Sequence, residues 1–296
     1  MDNKPAIDLT SDEFAELVRS QPFYDRFKND IGRRVLFETQ LHDPIVVKHE
    51  ASPQTLEQIL SHIQRVWTKL GSEEPHWSVV STSDFKANKI QNSVTQFNDT
   101  GRAEARNAAR MLARIGLQIP KNAVALEYGC GVGRVTRWLA ESCEKVIGVD
   151  VSTSHLRLAQ EYMTGESVGN VSFVHVTHFS DIERLPTYDF LYSKIVLQHN
   201  PPPVIAKLLD YLLSKLTVGG IGIVQIPTYA KGYTFDPDEY VKKMDHIINM
   251  EMHILPQPVI FELLSKHNCI PREVIRDHLV TTMDFVSTTF AFQKVH

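Results

Sequence analysis

Glu127-Tyr-Gly129-Cys-Gly131-Val-Gly133 follows directly on the apolar run Val124-Ala-Leu, and a second apolar run, Val146-Ile-Gly-Val149, ends in Asp150. A β-branched run that breaks into glycines reads as a buried strand entering a tight turn. Without a Cβ, the backbone of such a turn can approach a ligand closely. Asp150 then stands at the tip of the next parallel strand. A carboxylate there accepts hydrogen bonds without donating any, which suits the paired hydroxyls of a ribose. Together the two stretches read as a nucleoside-binding crevice.

A dinucleotide fingerprint would need G-x-G-x-x-G. Here the spacing is G-x-G-x-G, and Arg134 stands at the position of that third glycine. Glu127 would repel a pyrophosphate. It suits a ligand that carries an ammonium or sulfonium group and no phosphate.

These stretches resemble the motifs of class I S-adenosylmethionine-dependent methyltransferases. Glu127-x-Gly-x-Gly-x-Gly133 is similar to the first motif and Val149-Asp150-Val151-Ser152 to the second. Val171 to Thr177, Tyr188 to Ser193 and Leu216 to Val224 resemble the third, fourth and fifth strand regions. The resemblance implies a Rossmann-like α/β fold with a seven-stranded, mostly parallel sheet, its last strand inserted antiparallel, and helices on both faces. It also implies S-adenosyl-L-methionine as cofactor, with Glu127, Gly129, Gly131 and Gly133 on the methionine portion and Asp150 and Val151 at the ribose. Thr177 and His178 occupy the post-third-strand position near the adenine, and Ser193 ends the fourth strand.

A methyl acceptor that is a hydroxyl must lose a proton, so a base is sought at the carboxyl edge of the sheet. His199, in Ile195-Val-Leu-Gln-His199-Asn, is the expected base, acting directly or through a water. A helix-capping or loop-orienting histidine would occupy the same place. His178, His246 and His253 are weaker alternatives. Asn200-Pro-Pro-Pro203 begins seven residues after Ser193 and lacks the aromatic of an amine-methylating motif, so it reads as a proline-started helix. No metal is expected: His175 and His178 should project to opposite faces of a strand. Neither His42-Asp43 with His49 nor Asp245-His246 with Glu251 and His253 has a committing spacing.

The reading is a methyltransferase acting on a hydroxyl of a small molecule or glycan. N-methylation of an exposed amine and a non-catalytic cofactor-binding scaffold remain alternatives. A net charge of −4 over 296 residues, 22% of them charged, offers no phosphate-binding stripe, so nucleic acid is an unexpected partner. No apolar run approaches the roughly twenty residues of a membrane span, and Met-Asp-Asn-Lys-Pro has no leader-like apolar region. A cytoplasmic location is expected, with Cys130, Cys143 and Cys269 as reduced thiols.

The elements that position this chemistry fall into two regions, 1–120 and 121–296. Residues 1–120 read as a helical subdomain or lid. Thr10-Ser-Asp-Glu13 is a capping box, a second helix follows Pro22, a third runs from Pro53 to Gly71, and a fourth from Gly101 to Gly116. Trp77 or Phe97, between the third and fourth, would either cover the cofactor or pack the subdomain on the sheet. After residue 120, strands are expected near 123–128, 145–149, 171–176, 188–193 and 221–226, then two more at 271–278 and 286–295. Helices should start near Arg134, Ser152, Ser180 and Pro202, with a last one from Pro258 to His267. Residues 228–255, with Tyr229, Tyr233, Phe235, Tyr240, His246 and His253, read as an insertion overhanging the methyl group.

Overall fold

A computed structural model describes residues 44–277, 279–280 and 285–296, together with Asp25. The capping box, the second helix apart from Asp25, and His42-Asp43 lie outside the described residues. The chain enters at β1 (Val46–Val47) and helix α1 (Pro53–Glu73), which Ser52 caps by accepting the Thr55 N–H at 3.1 Å. Helix α1 runs past Gly71 rather than stopping there. A Cβ at that position would lie 2.6 Å from Ser152 Oγ, so the glycine serves close helix packing and not termination.

Helix α2 (Val94–Arg114) starts seven residues before the expected Gly101, so Phe97 is helical rather than part of a connecting loop. Then follow β2 (Val124–Tyr128), α3 (Thr136–Leu139), β3 (Lys145–Asp150), α4 (Thr153–Gly165), β4 (Val171–His175), α5 (Phe179–Glu183) and β5 (Tyr188–Ser193). The second half comprises α6 (Pro202–Lys215), β6 (Leu216–Ala230), β7 (Thr234–Phe235), α7 (Pro237–Val241), α8 (Gln257–Lys266), β8 (Cys269–Asp277) and β9 (Phe285–Lys294).

Seven strands form one sheet in the order β4-β3-β2-β5-β6-β9-β8, and β1 pairs separately with β7. The first five are parallel, while β9 runs antiparallel between β6 and β8. Strand β6 extends well beyond the expected 221–226 because its ladder to β9 continues to Ala230. The strand order reverses between β2 and β5, and ligands of such sheets bind in the crevice at the carboxyl ends there.

Both faces of the sheet are covered, and the N-terminal helices take part on opposite sides. Leu56, Ile59, Leu60 and Ile63 of α1 share a core with Leu126, Val149 and Leu208. Ala108 and Leu112 of α2 pack with Ala125, Phe190 and Ile223 on the other face. Each buried leucine or isoleucine contributes about 1.5–3 kcal/mol, so these helices are built into the sheet's core. Cys130, Cys143 and Cys269 are buried and free. No helix among the described residues is long and apolar enough to cross a membrane, and no group of three or more metal-ligating side chains gathers there.

Candidate active site

A cavity of about 900 Å³, its open mouth included, lies at the carboxyl ends of β2, β3 and β5. Its floor is the glycine turn. The N–H groups of Gly129 and Cys130 both donate to the Val149 carbonyl, at 2.7 and 3.1 Å, folding the turn back over β3. Gly129 holds φ +77°, and a Cβ there would lie 2.2 Å from Val196 Cγ1. Asp150 locks the turn from the side. Its two oxygens accept the N–H of Gly131 and of Ser152, each at 2.9 Å, leaving further lone pairs for a ligand.

Glu127 lies buried at the end of β2, where its Oε2 accepts the Thr136 hydroxyl at 2.5 Å. Burial pushes its carboxyl up to about 8, against the pull of the Thr136 hydrogen bond and the Arg134 charge. Beside it, Glu104 of α2 accepts from Tyr192 at 2.8 Å and pairs with Lys194. Burial works against ionisation of Glu104, yet the Lys194 ammonium and both hydrogen bonds outweigh it and hold the pKa below the ordinary value. Arg134 also lines the cavity, and its Nε is buried with no hydrogen-bond partner among the described residues.

His199 lines the opposite wall and is 7% exposed. Its Nδ1 lies 2.8 Å from the Glu251 carbonyl, so Nδ1 carries the proton. Nε2 is then an acceptor, and the Gln198 amide stands 3.2 Å from it. Burial pushes the imidazole down to about 4; the Glu251 hydrogen bond opposes this and His253 adds to it. The Trp67 indole lies 5.2 Å from the ring, centroid to centroid.

The cover over the cavity is not the expected one. Ser78 and Val79 line it, held down by His155, whose Nε2 lies 3.0 Å from Ser78 Oγ and 3.2 Å from the Pro75 carbonyl. Phe97 is instead buried in a satellite cluster with Phe85, Ile90 and Val132. Trp77 lies under the Lys86 ammonium, 5.8 Å from the ring centroid. The packing alternative therefore describes Phe97, and Trp67 supplies the cavity's aromatic wall.

Of the expected cofactor contacts, Glu127, Gly129, Gly131, Asp150 and Val151 come together in the lining, with His199 across from them. Gly133, Ser193, Thr177 and His178 do not. Gly133 sits behind the turn, facing Met163 and Ala159, and the Ser193 hydroxyl donates to the Tyr128 carbonyl at 2.9 Å. Thr177 and His178 are exposed at the start of α5, where Gln64 of α1 covers the Val176 and Thr177 carbonyls and Glu57 meets His178. The aromatics of 228–255 are likewise absent from the lining. Tyr233, Phe235, Tyr240 and His253 pack on one another, with Tyr233 hydrogen-bonded to His253 at 2.7 Å and Tyr240 to Glu251 at 2.6 Å. The segment after β6 braces His199 from behind through the Glu251 carbonyl. Reading the sequence missed Trp67, Ser78, His155, Glu104 and Lys194. Trp67 alone carried a signal, as the aromatic that ends the apolar stripe of α1.

Residues 125–220 match the family described as "Methyltransferase domain". Magnesium-protoporphyrin O-methyltransferase of Rhodobacter capsulatus is 30% identical over 136 residues, 46% of this chain and 57% of that protein. Trans-aconitate 2-methyltransferase of Methylobacterium radiotolerans is 33% identical over 135 residues, 45% of this chain and 47% of that one. The chain spans about half the length of these curated relatives. Magnesium protoporphyrin IX methyltransferase from Synechocystis, solved with S-adenosylhomocysteine, superposes with a TM-score of 0.52 at 16% identity, covering 78% of this chain and 99% of that one. An N-methyltransferase from Bradyrhizobium japonicum gives 0.50 at 15% identity, covering 80% and 100%. Both share the fold. Residues 125–220, which hold the glycine turn and the acid at the next strand tip, are therefore similar to a methyltransferase domain, and the sheet around them has the fold of these two solved methyltransferases.

Proposed function

We propose that this chain transfers a methyl group from S-adenosyl-L-methionine to an oxygen of a small-molecule or glycan acceptor. The observation that carries the reading is the desolvated Glu127 carboxyl beside a turn that tolerates no Cβ at Gly129, both lining one cavity with Asp150. A ligand that brings its own ammonium would relieve that carboxyl's desolvation. Asp150 has lone pairs to spare for ribose hydroxyls. When bound, the cofactor supplies an already activated methyl group, so the protein's task is to align and to exclude water. Trp67, Ser78 and Val79 cover the cavity and do the latter.

His199 admits two kinds of oxygen acceptor. As the base for a hydroxyl, it would take the proton on Nε2 after Gln198 turns aside. An imidazole held near 4 and already accepting at Nε2 is a weak base, which favours an acceptor oxygen that arrives ionised, as a carboxylate does. The names of the two curated relatives support oxygen chemistry, since one is an O-methyltransferase and aconitate carries oxygen only in carboxylates. The net charge of −4 speaks against a nucleic acid acceptor.

Calorimetric titration with S-adenosylmethionine and S-adenosylhomocysteine tests the cofactor reading. Binding that is lost in Glu127→Ala is expected; binding of neither compound by the wild type would defeat the cofactor reading, and binding without turnover on any acceptor would leave the cofactor-binding scaffold. Labelled cofactor offered with matched hydroxyl, carboxylate and amine acceptors, to wild type and His199→Ala, then separates the acceptor classes. Turnover on a hydroxyl that collapses in His199→Ala assigns the base, and turnover on a carboxylate that survives assigns the second reading.

A further inference from the structure

The end of β5 continues into an unfavourable backbone state. Ile195 has φ +58°, a left-handed conformation in which a β-branched side chain crowds its own backbone. Such a residue persists only where its surroundings over-determine it. Ile195 and Val196 line the cavity, and Val196 fills the space that Gly129 leaves open. The wall that faces the cofactor turn is therefore built on a strained hinge.

What holds it is Gln225 of β6, a glutamine with no exposed surface. Its Oε1 accepts the Ile195 N–H at 2.8 Å. Its Nε2 donates to Ser287 Oγ at 2.7 Å and to Gln198 Oε1 at 3.0 Å. Gln198 in turn donates from Nε2 to His199 Nε2 at 3.2 Å, and His199 Nδ1–H donates to the Glu251 carbonyl at 2.8 Å. The amide orientations follow from the network, because a flipped Gln225 would set its NH2 against the Ile195 N–H. The acceptor and one donor of this buried amide are thus committed to the wall, and the other donor ties it to β9.

We propose that Gln225 is a positioning residue for the transfer site. Its amide pins Ile195 in the left-handed state and, through Gln198, keeps the Nε2 lone pair of His199, whose Nδ1–H is set by the Glu251 carbonyl, engaged in the network. The catalytic consequence rests on the methyl-transfer reading; the two structural arms stand without it. A proton can reach His199 Nε2 only when the Gln198 amide swings away, and Gln225 sets how readily that happens.

Two volume-conserving variants of the full chain separate the arms: Gln225→Met, which removes every hydrogen bond of that amide, and Gln198→Met, which removes the Gln225–Gln198–His199 link and leaves Gln225 Oε1 on the Ile195 N–H. Amide hydrogen exchange at Ile195 reads the first arm, and the ¹⁵N-histidine resonance of His199 Nε2 reads the second. In Gln225→Met, Ile195 exchange rises at least tenfold while Leu191 and Val224 keep their wild-type rates, and the His199 Nε2 resonance shifts as Gln198 loses its anchor. In Gln198→Met only the His199 signals move. Should Gln225→Met not fold, Gln225→Glu keeps an acceptor for Ile195 and loses the donors, so slow Ile195 exchange with altered His199 signals is expected. Wild-type exchange and an unmoved His199 Nε2 resonance in Gln225→Met, fast Ile195 exchange in Gln225→Glu, or unmoved His199 signals in Gln198→Met would overturn the proposal. None of these readouts needs a cofactor, so a chain that fails to bind S-adenosylhomocysteine defeats the functional reading and leaves this one standing.

Discussion

Asp150 Oδ2 accepts the backbone N–H of Gly131 at 2.9 Å, so the acid proposed for the ribose also closes the glycine turn under the cavity. Its other oxygen fixes Ser152, the residue that caps α4. In Asp150→Asn one oxygen becomes an NH2 facing a backbone N–H. A mispaired buried donor costs roughly 1–3 kcal/mol, so S-adenosylhomocysteine affinity should fall about ten- to a hundredfold and thermal stability should drop as well. Calorimetry with an unchanged dissociation constant would contradict this role.

Glu127 titrates near 8 in the free protein. Below that it is protonated, and pairing with a ligand ammonium must drive the proton off. Binding at pH 6.5 should therefore release about one proton, seen as a dependence of the observed enthalpy on buffer ionisation heat. Affinity should tighten as pH rises toward 8. Glu127→Gln should show no such release.

Gly129→Ala would place a methyl group against Val196 in a left-handed backbone. Overpacking and strain together cost on the order of 2–4 kcal/mol. A lowered denaturation midpoint with cofactor binding abolished is the expected result, and partial recovery in Gly129→Ala/Val196→Ala would identify the contact as the cause.

His199 is held well below its ordinary 6.5, at about 4. The unfolded chain then binds a proton that the folded one refuses, so stability is lost as pH falls from about 6.5 to about 4. The full effect is on the order of 3 kcal/mol. Urea midpoints measured across this window should slope less in His199→Gln than in the wild type; equal slopes would remove His199 as the source.

Ser78→Ala removes the hydroxyl that meets His155 and leaves the cavity floor intact. The dissociation rate of S-adenosylhomocysteine should rise several-fold with little change in melting temperature. An unchanged off-rate would mean that residues 78–79 do not restrain the ligand.

The glycine turn, Asp150 and the five parallel strands were legible because their information is local. Spacing along one strand and turn fixes which backbone groups meet, and the carboxyl end of each strand follows from chain direction. The inserted β9 came from resemblance to a family, since no periodicity orders strands within a sheet. Thr177 and His178 had the right place after β4, but α1 turned their surroundings outward, with Gln64 reaching across from more than a hundred residues away.

The same limit governs the His199 wall of the cavity and its cover. The aromatic and histidine pattern of 228–255 is compatible with a lid or with a self-packed brace, and only the Tyr233–His253 and Tyr240–Glu251 contacts decide for the brace. Glu104 meets Tyr192 across 88 positions, and His155 meets Ser78 across 77. By itself, the sequence determined the crevice, the acid at its edge and the strand that leads to His199. The tertiary structure decided what His199 can do, because its tautomer, its depressed pKa and its engaged Nε2 come from burial and from partners that chain distance hides.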